Sequence, residues 1–235
     1  MTIHIMLDLE TWGTEPGCDI RSIGACVFDL MTGVVYDGGS HQHGNSEPFY
    51  VAVGNPILNH HVIDRRQHAN LYDPTSNCYR KYPLTRDPRT VQWWSEQSDE
   101  AQAAFANPVE LREGLEQFTI CLNSICTPDS IPPSGGHTNL RLWSHGPAFD
   151  PPILAAAYRA CNLPVPWHYR TLRDTRTCFD LAGIDDHSAW LSAHPGPLGI
   201  PHHALDDAIC QARAVCKAIA RIGEQHDRFN DRTTN

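Results

Sequence analysis

The spacing of apolar residues changes along the chain from a strand-like to a helix-like pattern. Ile3 to Leu9 is a short apolar run almost at the first residue, and Ile20 to Leu30 is a second, followed by Met31-Thr32-Gly33 as a turn and by Val34-Val35-Tyr36. Short runs bounded by turn residues predict strands, here an antiparallel β-meander to which Glu47 to Val53 could add another. Between 55 and 89 the chain is rich in His, Arg, Asn, Asp and Pro and keeps no period. That stretch predicts an insertion, partly helical and partly surface loop. From Pro88 the period becomes helical: Val91, Trp94, Ala101, Ala104 and Phe105 share one apolar face, and Leu111, Leu115, Phe118 and Leu122 share the next. A Pro/Gly/Ser loop over 128–139 precedes a short strand at Leu140 to Trp143 and a helix from Phe149 to Cys161. A long helix is predicted from Ala204 to near Glu224, with Ile209, Ala212, Val215, Cys216 and Ile219 inward and a polar tail over 226–235. A meander followed by alternating helices and strands predicts one α/β domain over 1–225, with a mixed central sheet flanked by helices.

Composition narrows the class. Of the 235 residues 41% are hydrophobic and 19% charged, enough for a buried core and unlike a disordered chain. The longest unbroken apolar run, Ile153 to Tyr158, is far short of the roughly 20 residues that cross a bilayer. Asp8 and Glu10 stand where a signal peptide would be apolar, so no membrane association and no secretion are expected. The nine cysteines are odd in number and include no C-x-x-C pair, the pattern of free thiols in a reducing cytoplasm. A net charge of −9 argues against holding nucleic acid by charge alone. Lys81 and Lys217 are the only lysines among eighteen basic residues, so the rest are arginines suited to local bidentate phosphate contacts.

Three segments carry the chemistry. Asp8 and Glu10 lie at i and i+2 of the first strand's end, on one face and about 6–7 Å apart in Cα position. Like charges so placed are costly unless a cation offsets them. Asp150 follows the strand LRLW and the turn SHGPAF, at the strand edge where open α/β sheets bind ligands; capping the next helix is the alternative role. The segment IPHHALDDA opens the last helix. His203 and Asp207 are at i, i+4, as are His202 and Asp206, whereas His202 and Asp207 converge only if His202 lies on the loop before the helix. Four acids and a histidine at strand and helix ends are the set for metal-assisted phosphodiester hydrolysis, in which carboxylate-held cations stabilise charge and a neutral imidazole takes a proton.

In MLDLETWG, SHGPAFD and HHALDDA the chain resembles the DEDDh 3′–5′ exonucleases of the proofreading-subunit and ribonuclease T type, with the three motifs in that order. The family pattern of His, one residue, Ala, two residues, Asp selects His202, Ala204 and Asp207. The resemblance implies a ribonuclease H-like exonuclease fold and two Mg²⁺ or Mn²⁺ ions. Asp8, Glu10 and Asp207 would hold one ion, with Asp8 bridging to the second, Asp150 supporting metal or its waters, and His202 as general base. TVQWWSEQS and LRDTRTC are similar to the subgroup containing phage exonuclease DexA and the ribonuclease AS proteins. In chemical terms Trp93 and Trp94 read as core and rim of a helix before a base-stacking platform. Arg173 and Arg176 could contact phosphate or pair with Asp174 and Asp180.

Thr11 and Phe149 flank the acids and are expected to touch substrate. Two positions depart from the family pattern. Trp12 replaces a residue that is often small, and is expected either to stack on the terminal base or to narrow the site. Gly146 stands where many relatives have Asn. The expected activity is release of nucleoside monophosphates from single-stranded 3′ ends, leaning to DNA, with RNA as the alternative and a non-catalytic nucleic-acid binder as the second. The oligomeric state is open, a homodimer included. A transition-metal store would need clustered soft ligands, and His60-His61 and His41-x-His43 are the only close pairs outside the three motifs.

Overall fold

A computed structural model describes residues 2–38, 47–58, 69–73, 78–126 and 135–233. Strands β1 (Ile3–Thr11), β2 (Ile20–Phe28) and β3 (Phe49–Gly54) form the antiparallel meander. Residues 34–36 add only a bridge between Val35 and Phe28. The described part of the insertion is a small antiparallel sheet of β4 (Ile57–Leu58), β5 (Tyr72–Asp73) and β6 (Cys78–Arg80), with one 3₁₀ turn at Ala69–Leu71; residues 59–68 and 74–77 of the partly helical stretch expected there lie outside the described residues. Strands of two or three residues are too short to show a period. Buried Arg80 holds them, bonding Asp73 at 2.7 Å and the Asn55 carbonyl at 3.1 Å. The histidine pairs at 41, 43, 60 and 61 lie outside the described residues.

Helix α1 (Pro88–Ser95) starts at Asp87, whose carboxylate accepts from Arg89 N at 2.8 Å, with Pro88 in the first turn. After α2 (Asp99–Ala103) come β7 (Val109–Glu110), α3 (Leu111–Ile125), β8 (Leu140–Ser144) and α4 (Asp150–Ala160). Then follow β9 (Leu172–Asp174), α5 (Thr175–Leu181), α6 (His187–Ser192) and α7 (Ala204–Thr233). The polar stretch after residue 225 thus continues the last helix to Thr233.

Among the described residues the main sheet runs β7-β3-β2-β1-β8-β9, with β8 parallel to β1 and β9 parallel to β8. Alternation along β1 decides where the acids go. Ile5, Leu7 and Leu9 enter the core under α3 and α4 with Leu115, Phe118, Ile153 and Tyr158. Met6 enters the opposite layer under α5 and α7 with Trp143, Phe179, Ile209 and Ala212. Asp8 and Glu10 continue the Met6 side, so the pattern that buries one face delivers both carboxylates beneath α7. Burial of each large apolar side chain contributes about 1.5–3 kcal/mol, which fixes the register because a one-residue slip would exchange the faces.

Candidate active site

The site forms where β1 and β8 part. Their pairing ends at Met6 and Trp143, and the turn after β8 swings α4 back so that Asp150 Oδ1 accepts from Leu9 N at 3.1 Å. That bond joins residues 141 apart in sequence. Asp150 therefore turns its carboxylate to β1, and the N-cap position of α4 is Phe149, with no side-chain capping bond.

The third element arrives from above. Asp8 pairs with Gly24 on β2, and a Cβ on Gly24 would lie 2.2 Å from the Ala204 carbonyl carbon and from Leu205 N. Only glycine lets the first turn of α7 rest on the sheet at that height. Asp207 and Gln211, one turn apart, then face β1, and Gln211 Nε2 donates to Asp8 Oδ1 at 2.8 Å. His202 precedes the helix in a left-handed conformation, φ +61°, and its N–H donates to Asp207 Oδ2 at 3.1 Å. Glu10, His202 and Asp207 each present a ligand atom within 4.8 Å of the others.

The neighbouring residues have structural work. His203 stacks on Tyr50 with centroids 4.3 Å apart and accepts from Asp206 N at 3.3 Å. Asp206 accepts from Leu198 N at 2.7 Å and Ile200 N at 3.0 Å, pinning the loop before α7.

Crowding of acids sets the electrostatics. Burial, then the charges of Asp150, Glu10 and Asp207, hold the Asp8 carboxyl well above its ordinary range, against the Gln211 bond. Burial, then Asp207 and Asp150, do the same to Glu10, with Arg21 opposing. Burial pushes Asp150 up to about 7 and Asp207 up to about 6. Burial also lowers His202, leaving a neutral imidazole able to take a proton. Oxygen donors that repel one another and can coordinate from one cleft fit hard divalent cations, whose charge would offset the repulsion.

The cleft has two arms. One, of about 730 Å³, is lined by Glu10, Thr11, Trp93, Phe149, His202 and Asp207 among others. The second, of about 380 Å³, shares Asp8, Phe149 and Gln211 and runs past Asp150 to His145 and Arg176.

Of the expected contact residues, Thr11, Phe149 and Arg176 line these arms. Trp12 lines neither; the guanidiniums of Arg21 and Arg86 each stand 4.3 Å from its ring centroid. Glu10 pairs with Ser22 but Thr11 with Ile20, so β2 carries one extra residue, Arg21, as a bulge opposite the end of β1. β1 ends at Thr11, and Trp12 follows it outside the regular alternation. Arg173 also lies outside the cleft, bonding carbonyls of its own edge.

Four residues of the site were not legible. Gln211 reads as one more polar position of a helix. Trp93, 40% exposed at the cleft, packs edge-on against His202 at 4.8 Å, while Trp94 is the buried member and donates to the Thr11 carbonyl at 2.8 Å. His145 bonds Thr175 at 2.7 Å and accepts from Arg176 Nε at 3.4 Å, and burial with the Arg176 charge lowers it to about 4. Arg21, the residue skipped by the bulge, is buried against Trp94 and Phe105, and its Nη1 has no hydrogen-bond partner among the described residues.

A family model described as the 3′–5′ exoribonuclease Rv2179c-like domain matches residues 3–219. No curated protein matches the chain by sequence. Structures of E. coli exonuclease I with a dT13 and with a dA16 oligonucleotide are similar at 14% and 13% identity, with TM-scores of 0.54 and 0.55. They cover 97% and 96% of this chain but 43% of the exonuclease I chain, so the protein spans under half that relative's length. The nuclease domain of 3′hExo, a DEDDh family member bound to rAMP, matches at 12% identity over 93% of this chain and 92% of that one, with a TM-score of 0.49. The fold shared with exonuclease I is the ribonuclease H-like exonuclease fold.

Proposed function

Since the chain belongs to the 3′–5′ exoribonuclease Rv2179c-like domain family, we propose that it is a DEDDh-type exonuclease that removes nucleoside monophosphates from single-stranded 3′ ends, acting on RNA. The observation that carries this reading is the meeting of Asp8, Glu10, Asp150, Asp207 and His202 from three distant segments in one cleft. The slight lean to DNA gives way to RNA because the family description names an exoribonuclease. Single strands suit an acidic protein that guides a flexible end by local arginines and aromatic faces, and the exonuclease I relatives carry single oligonucleotides. TVQWWSEQS and LRDTRTC support placing the chain near the DexA and ribonuclease AS subgroup.

Glu10, Asp207 and Asp8 would hold one Mg²⁺ or Mn²⁺, and Asp8 with Asp150 a second. Such ions supply positive charge against the phosphodiester as it is attacked and as its leaving oxygen departs. The remaining work falls to this chain's residues. His202 takes a proton from the water that attacks the terminal phosphorus, while the bond to the 3′ oxygen of the preceding nucleotide breaks. The Asp207 carboxylate holds the His202 backbone and thereby the imidazole above the acids. Trp93 and Phe149 face the cleft as apolar walls for the terminal nucleoside.

The test is incubation of the purified protein with end-labelled single-stranded RNA and DNA of matched sequence, in Mg²⁺, Mn²⁺ or EDTA. Stepwise shortening from the 3′ end, faster on RNA and stopped by EDTA, is the expected result. Shortening that persists in EDTA, or internal cuts, would overturn it.

A further inference from the structure

Four arginines stand along the open edge of the sheet, and among the described residues none is paired with an acid. β9 is the terminal strand of its sheet. Arg170 precedes it, Arg173 lies in it and Arg176 lies in the first turn of α5, while Arg141 lies on adjacent β8. Elsewhere Arg80, Arg86, Arg112 and Arg213 each meet a carboxylate. These four do not. Arg141 Nη1 donates to the Thr138 and Leu140 carbonyls at 3.2 and 2.9 Å. Arg173 Nη1 donates to those of Arg170 and Leu172 at 3.1 and 2.7 Å. Burial and then the Arg141 charge lower the Arg173 pKa, a sign that the two cations are neighbours. Asp174, the acid in this segment, caps α5 instead, accepting from Arg176 N at 3.2 Å and Thr177 N at 3.1 Å. Adjacent cations with no carboxylate at ion-pair distance among the described residues, in a chain of net charge −9, form a local field that a polyanion would offset.

The set is continuous with the cleft. Arg176 lines the arm that contains Asp150, and its guanidinium lies beside Gly146, where a Cβ would stand in ordinary van der Waals contact at 3.5 Å from the guanidinium carbon. From Arg176 back to Arg170 the chain reaches at most about 20 Å. At the far end Tyr169 is 69% exposed, with its hydroxyl bonded by Arg170 Nε at 3.0 Å.

We infer that the substrate strand upstream of the scissile bond leaves the cleft through the Asp150 arm and runs along the β9 edge, with its phosphates against these arginines and a base on Tyr169. This rests on the exonuclease reading above. The terminal nucleoside then occupies the arm beside Trp93 and Phe149, and the scissile phosphate lies between the two arms over the acids. Guanidinium groups suit the role because they meet phosphate oxygens in a bidentate fork.

The experiment compares parent protein with the Arg141→Glu/Arg170→Glu double variant and with the milder Arg141→Gln/Arg170→Gln pair, each checked for an unchanged Tm. Cleavage of a trinucleotide and of an RNA of about 12 nucleotides is measured, and the salt dependence of binding the longer RNA is read by anisotropy in an Asp8→Ala background. kcat/KM for the longer RNA should fall roughly tenfold, with the trinucleotide unaffected. The slope of log affinity against log salt should shrink by about 1.4, which is 0.7 for each of two lost phosphate contacts. An unchanged salt slope, with both lengths cleaved as by the parent, overturns the track and leaves the exonuclease reading standing. If the parent shortens neither RNA, the exonuclease reading falls, and the salt slope still decides the track. Should the Glu pair fail to fold, the Gln pair carries the same comparison with the same slope change.

Discussion

Gly24 and Ala204 are in contact at a distance no other residue at position 24 would allow: a Cβ there would fall 2.2 Å from the Ala204 carbonyl carbon. Asp8 pairs with Gly24 across β1 and β2, and Asp207 follows Ala204 by three residues, so this contact sets the separation of the first and third acidic motifs. Gly24→Ala must push the start of α7 off the sheet. Overpacking of this kind costs about 1–3 kcal/mol. The expected outcome is a lower Tm together with a loss of activity that excess metal only partly restores. Full activity at the parent's Tm would show that the contact does not set the site.

His202 and His203 separate by role. His202→Asn keeps a residue that tolerates the left-handed backbone but removes the proton acceptor, and should cost roughly 10²–10⁴-fold in kcat with little change in Tm. His203→Ala removes the partner of Tyr50 and should lower Tm while kcat per folded molecule holds. The reverse pattern would place the base one residue later.

Trp93 lines the cleft and Trp12 does not, so the proposed stacking role on the terminal base goes to Trp93. Trp93→Ala should weaken binding of a single-stranded 3′ end by roughly 5- to 150-fold, as loss of one base-stacking partner worth about 1–3 kcal/mol implies. Trp12→Ala should instead lower Tm, since the ring packs against the guanidiniums of Arg21 and Arg86, and leave 3′-end affinity as it was. Both are read on an Asp8→Ala background, by melting and by anisotropy.

Without metal the protein should lose stability as pH rises through the range of its acids. Asp150 and Asp207 are pushed up to about 7 and about 6 in the fold, whereas an unfolded aspartate titrates near about 3.9. Between those values the native state binds more protons than the unfolded one, so unfolding free energy falls with increasing pH. Asp8 and Glu10 are raised as well and add with the same sign. Thermal melts in EDTA should give a lower Tm at about pH 8 than at about pH 5.5, with added Mg²⁺ or Mn²⁺ removing the difference. A Tm in EDTA that climbs over this interval would show that the acids are not crowded as described.

What the sequence determined by itself rests on local periods and on residue types with one use. Period-2 alternation in IHIMLDLET placed Ile5, Leu7 and Leu9 on one side and Asp8 with Glu10 on the other, because strand geometry admits no other arrangement. The helices α3, α4 and the start of α7 followed from apolar spacing, the three acidic segments from carboxylates at strand and helix ends, and the choice of His202 with Asp207 from the resemblance to one family. The tertiary structure decided the rest. β1 ends at Thr11, and Trp12 beyond it packs with Arg21 and with Arg86, a contact that no local pattern reveals. Gln211, Trp93 and His145 became part of the site through the docking of α7, α1 and α5 against β1 and β8. The acids' raised pKa values came from burial and mutual approach. Both are distances between segments up to 203 residues apart, as in the Gln211 bond to Asp8, and no local pattern in a chain encodes a distance of that kind.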